Sequence, residues 1–275
     1  CGMTIVMITG GIDISVGSVT ALVCMASAYA MENKGMSPYA ALAISIGIGL
    51  LFGLLQGYLV SYLEIQPFIV TLAGLFLGRG LTAMISTDMI SIKNDLFQKW
   101  ATYQIELPIG TYNKHGVFRP AYIYPSVVIA LIVVVLIAIM LRYTKFGRKL
   151  FAIGNNATVA KYSGIRVDNT IILSYAISGM TAGIAGALLA GKVGSCYLAM
   201  GDTYQFQSIA AVAIGGTSML GGKGNYLGTV AGSLTITILL GILVALNLPF
   251  GVQTMAYGLI VLISVIVSVV SSNKK

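Results

Sequence analysis

The chain reads as an all-α membrane protein, a polytopic helix bundle with about eight visible spans or partial spans and more in the full-length chain. Three observations predict this. Of 275 residues, 57% are hydrophobic and only 9% are charged, against roughly 25% charged in soluble domains. Mean hydropathy is +0.92. The apolar residues also come in long runs such as Val127–Leu141, without the alternation over roughly ten residues that a membrane β-barrel requires. So few charges cannot cover the surface of a soluble globule, which excludes an ordinary cytosolic enzyme, a nucleic-acid binder and a disordered tail.

The elements follow in order. Cys1 opens the chain and Gly2 to Thr9 are already apolar, so the N-terminal end reads as a fragment lacking part of a first helix. No removable signal peptide with a basic start is visible. A helix crossing the hydrocarbon core needs roughly 20 mostly apolar residues. Apolar runs fall at 15–31, 39–62, 67–87, 122–141, 171–191, 200–214, 226–246 and 252–270. The run at 200–214 is short and opens on Gly201-Asp202, so it is the least span-like. Backbone polar groups must be satisfied internally in lipid, which makes these runs helices.

Orientation follows from one segment. Between Arg142 and Thr170 stand Arg142, Lys145, Arg148, Lys149, Lys161 and Arg166 against a single acid, Asp168. Basic loops stay on the cytoplasmic side, so 142–170 is expected inside, and the net charge of +8 is expected to serve topology rather than a polyanionic partner. Counting outward puts Met31–Ser37, the extracytoplasmic segment 88–121 and Asn247–Gly251 outside. Glu64–Gln66, the turn near Lys223, Lys274 and Lys275 fall inside. The outer segment mixes Asp88, Asp95 and Glu106 with Lys93, Lys99, Lys114 and Arg119, and is too short for an enzyme domain.

Glycine patterns add detail. Gly10-Gly11-Ile12-Asp13-Ile14-Ser15-Val16-Gly17-Ser18 is echoed by Gly215-Gly216-Thr217-Ser218-Met219-Leu220-Gly221-Gly222, each ahead of a helix, a short turn and a returning helix. Glycine-interrupted helices at matching positions flank the pathway in many transporters. Glycines at four-residue spacing recur at Gly49, Gly53 and Gly57, at Gly179 and Gly183, and at Gly224, Gly228 and Gly232. Such stripes let helix backbones approach closely.

Asp13 is the most informative charge. A carboxylate at mid-bilayer costs about 2.5–3.5 kcal/mol on insertion scales, so it should face a cavity, a partner or the surface. It can be a proton or cation site, or a contact for a sugar hydroxyl. The reading favoured by Gly10-Gly11, a helix break just before it, is that Asp13 and Ser15 cap the next helix. Gly222-Lys223 is not a phosphate loop, since Thr217 and Gly224 stand where glycine and Ser or Thr are required. Gly78-Arg79-Gly80 reads as a break or packing feature. His115, the only histidine, has no ligand neighbours, and Cys1, Cys24 and Cys196 have no metal or disulfide spacing, so no catalytic, cofactor or metal site is expected. Trp100, Tyr103, Tyr112, Tyr122, Tyr124 and Tyr143 read as interfacial anchors. Asp168 reads as a cap for the following helix or a partner for a nearby lysine.

The basic segment is the strongest functional lead. Gly154-Asn155-Asn156 is turn chemistry, and Asn156 can cap a short helix over 157–163 that ends at Gly164. A short helix bracketed by glycines suits docking into another protein's groove.

These residues resemble those of the inner-membrane permease subunits of ribose/galactose/xylose-type ABC importers. The blocks that carry the likeness are Gly10–Ser18, Gln66-Pro67-Phe68-Ile69-Val70-Thr71-Leu72-Ala73 with Arg79-Gly80, and Thr144–Ile165. Gly215-Gly216-Thr217-Ser218 with Gly221-Gly222 supports them. The likeness implies a single permease domain over 1–275, and a core of two permeases, from a second copy or a paralogue. It implies cytoplasmic ATPase subunits that bind the ATP, an extracytoplasmic sugar-binding protein, and a bacterial cytoplasmic (inner) membrane. It also implies that Gly147, Arg148, Gly154, Asn155, Asn156, Ala160, Ser163 and Gly164 belong to the segment that receives the ATPase motion. Asp13, Ser15, Ser18, Thr217 and Ser218 are the pathway candidates. Relatives of similar sequence move autoinducer furanones or nucleosides, and an ion-coupled transporter using Asp13 is the reading from another class. The outer segment is longer than this family leads one to expect.

Overall fold

The computed structural model describes residues 1–112, 118–247 and 249–273. His115 and Lys114, and the terminal Lys274 and Lys275, lie outside the described residues. The helices are α1 (Gly2–Ile8), α2 (Val16–Glu32), α3 (Pro38–Ser61), α4 (Pro67–Ile85), α5 (Asp95–Thr102), α6 (Pro125–Tyr143), α7 (Lys145–Asn155), α8 (Ala157–Tyr162), α9 (Val167–Val193), α10 (Asp202–Ile214), α11 (Tyr226–Ala245) and α12 (Phe250–Asn273). Each expected apolar run is a helix. Proline stands in the first turn of α3, α4 and α6, where its missing N–H costs nothing. The molecule is a polytopic helix bundle, with five described helices long and apolar enough to cross a membrane.

Segment 88–121, expected outside, departs from the all-helical expectation. It holds β1 (Ile90–Ser91), α5, β2 (Ile105–Tyr112) and β3 (Phe118–Ile123), while β4 (Ser195–Cys196) follows α9. β2 and β3 form an antiparallel hairpin with an irregular register between Glu106 and Gly110. β1 pairs with β4, Ile90 opposite Cys196. The carboxylate of Glu32 accepts from the amides of Lys93 and Asn94, tying the end of α2 to this segment. Trp100 packs edge-on against Tyr39 at 4.9 Å. Cys24, Met25, Met31, Ile92, Cys196 and Met200 form a core cluster beneath it.

The glycine stripes do what small residues do in membranes. Gly49 and Gly53 lie against the carbonyls of Gly179 and Tyr175, and Gly183 against that of Ser45, so the stripes of α3 and α9 face each other. The third stripe seats α11 on the end of α10, with Gly228 against the Gly215 carbonyl and Gly232 against that of Ala211. Any Cβ at these contacts would meet backbone, which cannot yield as a side chain can. α9 is the central helix, its apolar window half buried, whereas only 11% of the α6 window and 17% of the α11 window are buried inside the chain.

The two glycine-rich echoes are helix breaks. α1 stops at Ile8 and α2 starts at Val16, while α10 stops at Ile214 and α11 starts at Tyr226. Gly10, Gly216, Gly221 and Gly222 all take positive φ there, which only glycine does without strain. α10, at 13 residues, rises about 20 Å at ~1.5 Å per residue, short of the ~30 Å hydrocarbon core. Gly78-Arg79-Gly80, by contrast, lies within an unbroken α4, so its packing role holds and its role as a break does not.

Candidate functional site

Two places gather the residues singled out from the sequence. The first is a buried polar cluster at the α1–α2 break. Asp13 is 3% exposed. One carboxylate oxygen accepts from the Ser15 amide at 3.1 Å and the Ser15 hydroxyl at 2.6 Å, and the other accepts from the Ser178 hydroxyl of α9 at 2.8 Å. The side-chain amide of Gln56, on α3, donates to the Ser15 hydroxyl at 2.8 Å. The Tyr175 hydroxyl donates to the Ile12 carbonyl at 3.2 Å, holding the break from the α9 side. The break is thereby fastened to α3 and α9.

This corrects the capping expectation. Ser15, not Asp13, is the N-cap residue of α2, and no side chain accepts from that helix's first amides. The carboxylate folds back onto Ser15 and crosses to α9. An unpaired buried carboxylate would be expensive, and three donors offset that cost because hydrogen bonds to charged groups contribute about 1.5–3 kcal/mol each. Ser18 donates to the Ser15 carbonyl and lies against Gly78. Gly74 leaves room for the Gln56 amide. Sequence reasoning missed Gln56, Ser178, Tyr175 and the pairing of Gly74 with Gly78, of which only Gly78 was read as a packing feature. The four-residue glycine spacing of that pair was a readable signal. Nothing local distinguishes Gln56 or Ser178 from other polar residues on apolar helices.

Thr217 and Ser218 are not in this cluster. They sit on the second break, where Ser218 organises the turn by accepting from the Gly221 amide through its carbonyl and from the Leu220 amide through its hydroxyl. Thr217 is fully buried, and among the described residues its hydroxyl has no partner.

The second place is a junction of three segments. The Gly222 amide donates to the Ile8 carbonyl at 2.9 Å, joining the two breaks directly. Gly154, near the end of α7, lies against that same Ile8 carbonyl and against the Gly222 amide, while Gly222 lies against the side chain and amide of Asn155. Gly221 meets Gly10. Apart from the Asn155 side chain, these contacts are backbone to backbone, so none tolerates a Cβ without movement. The basic segment thus rests on both helix breaks at once.

Within that segment the structure sorts the candidates. α7 turns Gly147, Leu150 and Ile153 inward, and Leu150 packs in a cluster with Ile5, Ile8, Ile137, Leu141 and Tyr226. Arg148 and Lys149 face out. Gly154 and Asn155 belong to α7, so the turn is confined to Asn156, one residue rather than the three expected. Asn156 caps α8 by accepting from the Val159 amide, and Gly164 follows with φ 81°, as expected. Ala160 is buried and Ser163 exposed, while Val159 and Tyr162 project, Tyr162 at 88% exposure. Asp168 lies in the first turn of α9, favourable to the helix dipole, but makes no side-chain cap there.

A cavity of about 650 Å³ opens between α1, α2, α6, α9, α10 and α11. Most of its wall surface is apolar, although Thr20, Ser178, Thr181, Lys192, Gln207 and Thr229 also line it. Among the described residues, no cluster of His, Cys, Asp or Glu could hold a metal ion.

Helices broken at matching, glycine-rich positions around buried polar groups are how transporters place polar chemistry inside a bilayer, which puts the chain among membrane transport proteins. It belongs to the family described as branched-chain amino acid transport system / permease component, which matches residues 1–270. Similar proteins include the fructose import permease protein FruG of Bifidobacterium longum, 32% identical over 99% of this chain and 80% of that protein. The ribose import permease protein RbsC of Bacillus subtilis is 34% identical over 96% of this chain and 78% of its own. RbsC of Escherichia coli is 32% identical over the whole of this chain and 81% of its own. No solved structure matches the chain.

Proposed function

We propose that this chain is the membrane-spanning permease subunit of an ATP-driven importer that moves a monosaccharide of the ribose, fructose, galactose or xylose kind. The reading places it in a bacterial cytoplasmic (inner) membrane. It gives the chain no catalytic residue or cofactor of its own, with ATP bound and hydrolysed on partner ATPase subunits. A second permease, copy or paralogue, and an extracytoplasmic sugar-binding protein complete the assembly. The ribose and fructose import permeases that match it along its length support the solute class. The observation that carries the mechanism is the seat of Gly154 on both Ile8 and Gly222.

In this reading Val159 and Tyr162 enter a groove on the ATPase, and α7 is the lever behind them. Its end next to α8 rests on the two helix breaks, so displacement of α8 moves α1 and the α10–α11 turn together. ATP-driven closure then selects one access state because the docked segment fits one arrangement of the breaks better than the other. The ion-coupled alternative is weakened by Asp13, whose two carboxylate oxygens are already taken by Ser15 and Ser178.

The test is gentle purification of the tagged full-length protein from its own host, with mass spectrometry of its companions and uptake of labelled ribose and fructose in proteoliposomes. A co-purifying ATPase and ATP-dependent uptake are expected. A protein that comes out alone and drives uptake from an ion gradient without ATP would overturn the reading.

A further inference from the structure

Arg79 and Asp202 form an ion pair of 2.7 Å between α4 and the first residue of α10, and both side chains stay more than a third exposed, at 40% and 37%. Its depth is what matters. The neighbouring Gly78 lies against Ser18, and Gly201 against Gly17, so the pair sits level with the first turn of α2. Glu32, at the far end of α2, is 14 residues beyond Ser18, about 21 Å away at ~1.5 Å per residue. Along α4, Arg79 is six residues from the helix end at Ile85, about 9 Å at ~1.5 Å per residue, so the pair lies within the apolar layer, nearer that end, on a face that the chain itself covers only in part. Charged side chains at such depth face water-filled cavities or partners, not lipid, and mark solute pathways.

The surroundings fit solute recognition. α4 runs parallel to α2, with Gly74 beside Ser15 and Gly78 beside Ser18, whereas α10 runs antiparallel, with Gly201 beside Ala21 and Gln205 beside Gly17. Phe76 and Phe206 consequently both lie about one turn further along in the same direction, toward the level of Asp13. Their rings are exposed at 63% and 52%. Gln205, one turn from Asp202, is 5% exposed, and among the described residues its side-chain oxygen has no hydrogen-bond partner. The 650 Å³ cavity on another side of α10 is largely apolar and suits a hydroxyl-rich solute less well.

We propose that Arg79 and Asp202, with Phe76 and Phe206 one turn below them, form the constriction at which the solute is recognised. A guanidinium offers only donors and a carboxylate only acceptors, so together they take both senses of a diol's hydroxyl hydrogen bonds. The negative faces of the aromatic rings meet the C–H face of a sugar ring. The solute class rests on the importer reading, whereas the water-lined face does not.

The test uses the full transporter assembly in proteoliposomes. Thr203→Cys, at the exposed position next to Asp202 in α10, and Phe206→Cys are to be labelled by a membrane-impermeant thiol reagent, with Ile238→Cys, on an exposed face of α11, as the lipid-facing control and the unsubstituted chain as background. Labelling of both positions at least tenfold faster than Ile238→Cys is expected. Labelling no faster than the control overturns the proposal and leaves the importer reading standing, because accessibility requires neither ATP nor solute. Recognition is tested by charge reversal, Arg79→Asp with Asp202→Arg. Membrane assembly is expected to survive with uptake of labelled ribose and fructose below one-tenth of the original. Full recovery of uptake in the reversed pair would reduce it to a structural tie and overturn the recognition role.

Discussion

At Asp13 a single side chain answers three donors from two separate parts of the chain. Removing the carboxylate by Asp13→Ala strands the Ser15 amide and the Ser178 hydroxyl, while the Ser15 hydroxyl keeps Gln56, and stranded buried groups cost about 1–3 kcal/mol each. Asp13→Asn keeps an acceptor for Ser15, and its amide can donate to the Ser178 hydroxyl, so it should cost only about 1 kcal/mol, the difference between charged and neutral hydrogen bonds. Thermal unfolding in detergent should rank the proteins wild type, Asn, Ala. Uptake by Asp13→Asn should keep the pH profile of the parent, and a profile that flattens would make Asp13 a proton site. Gly154 is the other residue with a sharp expectation. A Cβ there meets the Ile8 carbonyl and the Gly222 amide, so even Gly154→Ala must push α7 off the breaks. Uptake should fall at least tenfold while the protein still inserts, whereas Gly164→Ala should strain only a positive φ next to open space.

At the scale of the element, α8 separates packing from docking. Ala160 lies beneath the helix and Val159 and Tyr162 on top of it. Ala160 is therefore a poor probe of docking, although the glycine bracket draws attention to it equally, because a charge there damages the seat of the helix itself. Val159→Asp and Tyr162→Asp should leave the melting temperature within experimental error and abolish co-purification of the ATPase. Co-purification at wild-type levels would move the docking surface elsewhere. The neighbouring helices follow the same division. α3 and α9 meet through glycines at carbonyl contact, so Gly179→Leu should cost more than the ~1–3 kcal/mol usual for overpacking a core. It should show as loss of monodisperse protein on size-exclusion chromatography.

For the whole molecule, what was legible in the sequence was whatever a single helix or turn declares by itself. The eight apolar runs, the glycine stripes and the cap at Asn156 are local patterns, set by hydropathy and small side chains, and each is found where it was expected. The β2–β3 hairpin was not legible, because exposed strands such as Ile105–Tyr112 bury no regular face and carry no period. Nor were the long-range partners of the break, Gln56 at 41 residues from Ser15 and Ser178 at 165 from Asp13. Local chemistry suggested a cap, and the long-range donors on α9 replaced it. The sequence by itself determined that the chain lives in a membrane, how often it runs through apolar layers and where its backbones come close. Only the tertiary structure decided that Ile8, Gly154 and Gly222 meet at one junction and that Arg79 reaches Asp202. Such contacts join segments 68 to 214 residues apart, and they depend on how helices pack rather than on what any one helix prefers.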